Sequence, residues 1–240
     1  MARIKLIVSY HGGSYLGWQK TKEGPSIEET LEKALERLTL KRPPLEAASR
    51  TDRGVHARGQ VVSFETDFPA AKLARALNAL LPSSIFVQSA EEVSLQFHPT
   101  LDAKGKEYHY ELTFTLLPFF LETAWHVYRP LDLALLNQEA ATLIGTHNFR
   151  AFENASDPKE AVCTLWKFEA IPTEYGLRFV LEGDRFLYKM VRNLVGTAVD
   201  RGTGKQERSM REVLRSEDRR NAGVTAPAHG LFLHRVWYVL

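Results

Sequence analysis

The chain has 240 residues, 44% of them hydrophobic, enough to bury a large core as one big domain or two intimate halves, which excludes a disordered or fibrous protein. A single cysteine, Cys163, leaves no disulfide framework and no cysteine-based zinc site, and reads as a small buried hydrophobe. The 31 basic and 29 acidic residues give a net charge of only +2, so composition alone announces no polyanionic partner and any basic groups that meet one must be arranged locally.

The opening MARIKLIVSYHGG has neither the apolar core of a signal peptide nor the length to span a bilayer, so the expectation is a cytoplasmic protein with no membrane partner. RIKLIVSY (3–10) reads as a strand, and Pro25 with Ser26 introduces an apolar-periodic helix, IEETLEKALERLTL (27–40), with Ser26 as N-cap. After the breaker KRPP come a short strand near LEAAS (45–49), a loop centred on TDRGVHARG (51–59) and the β-branched, alternating strand QVVSFET (60–66). A helix at AAKLARALNALL (70–81) and a strand at IFVQSAEEV (85–93) close the first half.

The second half reads as a strand at EYHYELTF (107–114), a helix at LDLALLNQEAATLIGT (131–146) and a hairpin over 164–184 turning near Glu174 to Gly176. A helix through FLYKMVRNLVGTAVD (186–200), an inserted helix at SMREVLRSEDRRNA (209–222) and the strand LFLHRVWYVL (231–240) follow. The order strand, helix, strand, strand, helix, strand thus occurs twice. It predicts an α+β protein of two similar RRM-like (ferredoxin-like) halves, 1–100 and 101–240, with mixed, mainly antiparallel sheets around a central active-site cleft. No Gly/Ser-rich or Pro-rich linker separates them, so no independent hinge is expected.

The most informative segment is Ala48 to Gln60, ASRTDRGVHARGQ, which sets one carboxylate, Asp52, among Arg50, Arg53 and Arg58 in a loop between strands. A carboxylate beside guanidinium groups stays ionised and is oriented by charge-assisted hydrogen bonds, which suits a nucleophile or base at neutral pH. Gly54 lets the backbone turn sharply beside it. An isolated Asp-x-Gly is more often a polar turn with a surface salt bridge.

The surrounding pattern decides between them. RTDxGVHAxGQ, carried by Arg50, Thr51, Asp52, Gly54, Val55, His56, Ala57, Gly59 and Gln60, resembles the signature of the TruA family of tRNA pseudouridine synthases. The resemblance extends to Tyr10, Gly12, Gly17, Trp18 and Gln19 in SYHGGSYLGWQ, to ALNALLP, to Tyr108 and Tyr110 in KEYHY, to FLYKMVRNLVGT around Arg192 and to TAPAHGLFL, in order along nearly the whole chain. It implies the pseudouridine synthase fold, Asp52 as catalytic aspartate, Tyr108 against the target base, Arg192 as partner of the aspartate from the other half, and Arg50 as support for the loop. It implies further a homodimer that accepts the anticodon stem-loop of tRNA. No cofactor is expected, because converting uridine to pseudouridine neither oxidises the substrate nor adds a group, and the chain offers neither a GxGxxG after a strand nor a P-loop. An ionised Asp52 could attack ribose C1′, add to C6 of the base or remove a ribose proton, and all three stay open.

A glycoside hydrolase would need a second carboxylate, which the motif lacks. The detached uracil must be shielded from water, which makes Tyr108, Phe186 and Leu231 candidate pocket residues, although Phe186 and Leu231 read equally as core. Stacking on Tyr108 would offset part of the cost of unstacking the uridine, roughly 1–3 kcal/mol per base. Tyr108, Tyr110 and Leu112 share one strand face, a pattern that also describes a packed sheet, most of all for Tyr110. Leu187, Met190, Val191, Leu194 and Ala198 form a helical apolar stripe with Arg192 on its flank. Lys104, Lys106, Arg201, Lys205 and the basic residues between Arg208 and Arg220 are candidate phosphate contacts, the last group alternating with acids as a solvated face does.

Five positions depart from the family pattern: His11, where an acid is usual, Ser49 before the RTD, Pro99 and Thr100, and Arg185. They bear on RNA contacts and loop geometry. Two rivals stand beside this reading. A non-catalytic protein with two RRM-like halves would carry an aromatic-rich RNA-binding strand, which QVVSFET is not. A metal-dependent hydrolase built on Asp52 and His56 would rest on two ligands four apart, and no metal is expected there.

Overall fold

Successive side chains of a strand point to opposite faces, and β1 (Ala2–Tyr10) follows that rule throughout: Ile4, Leu6, Val8 and Tyr10 are buried, while the residues between them stay partly accessible. The computed structural model describes residues 1–154 and 161–239, and the chain divides into two units, Met1–Lys104 with Phe232–Leu240, and Gly105–Leu231.

In the first unit β1 lies between β3 (His56–Thr66) and β4 (Ile85–Val93), antiparallel to both. The other edge of β3 is shared. The two-residue β2 (Glu46–Ala47) pairs antiparallel near its end, and β10 (Leu231–Trp237) runs parallel at its start, with Phe232 opposite His56 and Leu233 opposite Ala57. Helix α1 (Ile27–Thr39) contributes Ile27, Leu31 and Leu35, and α2 (Ala70–Asn78) contributes Leu73 and Leu77, all without solvent exposure. Each is worth about 1.5–3 kcal/mol of burial. Ser26 caps α1 as the sequence predicts, its hydroxyl accepting the Glu29 N–H at 3.2 Å. Glu32 on the buried side of α1 accepts from Lys20 Nζ at 2.7 Å and Arg42 Nε at 2.8 Å, tying the chain on either side of the helix to its middle.

In the second unit β5 (Gly105–Thr113) pairs antiparallel with β9 (Gly176–Gly183), β9 forms a hairpin with β8 (Val162–Thr173), and β7 (Gly145–Asn148) adds beyond β8. The short β6 (Trp125–His126) runs parallel to β5. Among the described residues three α-helices accompany this sheet: α3 (Leu133–Ala141), capped by Asp132, α4 (Met190–Gly202), and α5 (Met210–Ser216), which opens with a reciprocal Ser209–Glu212 capping box. The α+β repeat is present. The chain orders β1-α1-β2-β3-α2-β4 and β5-α3-β8-β9-α4-β10 correspond, and within each unit the first strand pairs with the third and the third with the second.

Element ends differ from the sequence reading for local reasons. β3 begins at His56, four residues early, because β10 pairs there. α2 stops at Asn78, whose side chain donates to Val87 O and accepts from Val87 N, both at 2.8 Å. α4 starts at Met190, since Asp184 Oδ1 accepts the N–H groups of Thr164 and Arg185 and turns the chain, and Lys189 then adopts a left-handed φ of 60°. Leu187 therefore lies outside the helix. The inserted helix ends at Ser216, with Glu217 left-handed after it. Among the described residues no helix is long and apolar enough to cross a membrane.

Cys163 is buried on β8, and burial pushes its thiol up to about 11. At pH 8 only about one part in a thousand is then thiolate. The native protein is therefore expected to resist iodoacetamide at that pH and to take up one adduct only after denaturation, as read by intact mass; prompt native labelling would contradict this burial.

Candidate active site

The chain from Ser49 to Val55 is fixed along its length by residues of the first unit. Thr51 is buried, its hydroxyl 2.7 Å from Tyr10 Oη, and its carbonyl accepts the Trp18 N–H at 3.0 Å. Gln60 holds Ser49 twice, donating to its carbonyl at 2.6 Å and accepting its N–H at 3.2 Å. The Asp52 carbonyl accepts the Val55 N–H at 3.1 Å across a turn in which Gly54 takes φ 79°. Gly17 takes φ 105° and packs so close that a β-carbon there would lie 2.8 Å from Thr51 O and 3.1 Å from Asp52 C. Asp52, on this clamped backbone, is half-buried between the buried Thr51 and Val55.

Arg50, Arg53 and Arg58 are exposed, and none forms an ion pair among the described residues. Their guanidinium groups therefore do not orient the Asp52 carboxylate, contrary to the reading of the motif as a cluster. Alternation along β3 turns Arg58 outward over the Phe232 ring at 5.3 Å, and Arg53 stands at the tip of the turn. His56 is buried. Its Nδ1 accepts the Gly12 N–H at 2.9 Å and its ring stacks on Phe232 at 4.7 Å, which occupies one of the two nitrogens that a metal site with Asp52 would draw on. The His11 ring also packs against it, centroids 4.4 Å apart.

In the second unit Tyr108 is buried on β5 and meets Phe186 edge to face, centroids 5.1 Å apart at 81°. Phe186 is half-buried after the Asp184 turn, and Leu231 is buried at the start of β10. Tyr110 is core, as its strand face indicates: it has no exposure and its hydroxyl donates to Pro227 O at 2.8 Å. Burial holds its phenol well above the ordinary range, with the charge of Arg192 opposing the shift. Arg192, half-buried in the first turn of α4, donates from Nε to Ala226 O at 2.8 Å and accepts the Ala226 N–H on its own carbonyl at 3.1 Å.

Several candidate phosphate contacts are committed elsewhere. Arg201 pairs with Glu139 at 2.7 Å, Arg220 pairs with Asp218, and Arg219 spends its whole guanidinium on internal acceptors. Arg185 folds back onto Val162 O. Lys104 and Lys205 are exposed, and burial pulls the Lys106 ammonium below its usual range. The sequence reading missed the hydrogen-bonded group of Asn193, Thr225 and Arg219. The only signal for it was that VRNLVGT and TAPAHG belong to one resemblance, and nothing in the chain says that they touch.

A profile of the family described as tRNA pseudouridine synthase matches residues 6–102 and 140–239, which takes in the Asp52 loop, Phe186, Arg192 and Leu231. The chain belongs to the tRNA pseudouridine synthase family. With it comes the class of isomerases. Similar members of the family include "tRNA pseudouridine synthase A 2" of Protochlamydia amoebophila, 44% identical over 99% of this chain and 95% of that one. The "tRNA pseudouridine synthase A" of Acetivibrio thermocellus is 38% identical over 99% and 100% of the two chains, and that of Myxococcus xanthus 42% identical over 99% and 92%. Kinship of this extent covers both units of the synthase-family chain.

Proposed function

We propose that this chain isomerises uridine to pseudouridine in the anticodon stem-loop of tRNA, with the Asp52 carboxylate as nucleophile or base. The observation that carries the reading is the clamped loop, which holds a half-buried carboxylate on backbone pinned at Ser49, Thr51 and Val55. The reaction breaks C1′–N1, turns the uracil and forms C1′–C5. N1 gains a proton and C5 gives one to solvent, so bonds rearrange within one nucleotide and no donor is consumed. Tyr108 with Phe186 offers the aromatic surface on which the detached uracil is held, and Leu231 helps to exclude water. Arg192 is assigned to the working state of Asp52, and Arg50 to the support of its loop. The protein acts in the cytoplasm as a homodimer, which a monomeric mass in sedimentation at working concentrations would overturn.

The test is tritium release from tRNA labelled at uridine C5, by wild type and by Asp52→Asn, without metal or cofactor. Release by wild type alone is expected. A folded wild type that binds tRNA and releases nothing would leave an RNA-binding protein, and equal release by both would remove Asp52 from the reaction. The exposed Arg50, Arg53 and Arg58 predict that tRNA binding weakens steeply with salt, by about 0.7–0.9 decades per decade of salt for each phosphate neutralised. A flat salt dependence in filter binding would sink RNA as the substrate.

A further inference from the structure

We infer that Arg219 is a positioning residue, which sets Arg192 and Leu231 through the strap formed by residues 222–230; the inference rests on the roles proposed for those two residues. The strap is pinned along α4. Gly223 N donates to Thr197 Oγ1 at 3.0 Å and Val224 N to Asp200 Oδ2 at 2.9 Å, Ala226 exchanges hydrogen bonds with Arg192, and Pro227 O accepts from Tyr110. It leads directly into Leu231. Glycines make the approach possible: a β-carbon at Gly196 would overlap Val224 O, and one at Gly230 would lie 2.7 Å from the Tyr110 ring.

The guanidinium of Arg219 sits where this strap begins. Its NH1 donates to Gly223 O at 2.9 Å and Ala222 O at 3.4 Å, its NH2 to Thr225 Oγ1 at 2.9 Å and Asn193 Oδ1 at 3.0 Å, and its Nε to Asn154 Oδ1 at 3.2 Å. Asn193, wholly buried in α4 directly after Arg192, also accepts the Thr225 hydroxyl at 2.6 Å and donates to Phe152 O at 2.7 Å. One planar fork thereby joins α4, the strap and Asn154. All five acceptors are neutral, and burial lowers the pKa of the guanidinium below its ordinary value. What these acceptors specify is direction. A lysine cannot reproduce the five-donor geometry.

The experiment compares Arg219→Leu, Arg219→Lys, Arg192→Met and the double variant Arg219→Leu/Arg192→Met in the full-length protein. It reads kcat and KM for pseudouridine formation per folded molecule, together with tRNA Kd. Arg219→Leu is expected to lower kcat about 10- to 100-fold, the scale of a misplacement near 1 Å, with Kd changed less than about 3-fold. Arg219→Lys should recover little. Adding Arg219→Leu to Arg192→Met should cost clearly less than Arg219→Leu costs alone, because one of the two residues being positioned is already gone. Thr225→Val, which removes one strap hydroxyl, supplies a milder variant if Arg219→Leu does not fold, with kcat expected to fall about 3- to 10-fold. If Arg192→Met loses activity while Arg219→Leu, or Thr225→Val in its place, keeps kcat per folded molecule, or if the losses add fully, the positioning role is overturned and that of Arg192 stands. Full activity of Arg192→Met would overturn the role of Arg192 itself and this inference with it.

Discussion

Asp52→Asn is expected to fold as the wild type does and to lose turnover by about 10⁴-fold or more, the scale seen when a reacting group is deleted from a preorganised site. The substitution keeps the shape of the side chain and removes its charge. The described anchors of the loop run through the Thr51 hydroxyl and carbonyl, the Asp52 carbonyl and the Ser49 backbone, all of which asparagine leaves intact. Thermal midpoint and tRNA Kd should therefore stay close to wild type while tritium release disappears. Asp52→Glu separates charge from position: it keeps the carboxylate but moves it by one methylene, and a loss of at least about 10²-fold is expected from misplacement alone. A near-normal rate in Asp52→Asn would mean that the carboxylate works by neither nucleophilic nor basic chemistry, and one in Asp52→Glu would mean that its exact position does not limit the rate.

Gly17→Ala should show the second large effect, from a position more than thirty residues upstream in sequence of every group assigned to the chemistry. Two costs combine. The φ of 105° suits glycine and strains an L-residue by about 1–3 kcal/mol. A β-carbon would also press on the backbone of Thr51, Asp52 and Arg53, and backbone yields less readily than the end of a flexible side chain. Overpacking of that kind adds about 1–3 kcal/mol. The expected result is a loss of about 2–6 kcal/mol in denaturant unfolding, and a fall in kcat per folded molecule as the loop shifts. A variant as stable and as active as wild type would show that the loop is not held from this side.

The fold was legible because its elements repeat. Alternation in β1 and β3, the Ser26 cap and the stripe of Ile27, Leu31 and Leu35 each report a local requirement, and local requirements are written in consecutive residues. The residues of the loop motif were legible too, while the relations among them were not. Sequence proximity made Arg50, Arg53 and Arg58 look like partners of Asp52, but strand alternation and the Gly54 turn send them outward. The residues that hold the loop, Tyr10, Gly17 and Trp18, come from more than thirty residues upstream, and their part in it appears only when Thr51 is seen against them. The same is true of Arg219, which among interleaved acids looked like one charge on a solvated face and is instead committed to five internal acceptors.

The strand order also bears on synthesis. β10 pairs with the start of β3 and places Phe232 on His56, yet the ribosome delivers it only after the whole of the second unit, residues 105–231, has been made. A nascent chain can build β1, α1, β3, α2 and β4 early, but the edge beside His56 stays uncovered until translation has passed Trp237. A stalled or clipped product would thus lack the strand that finishes the unit carrying Asp52, so competence for the reaction waits for translation to run past the second unit.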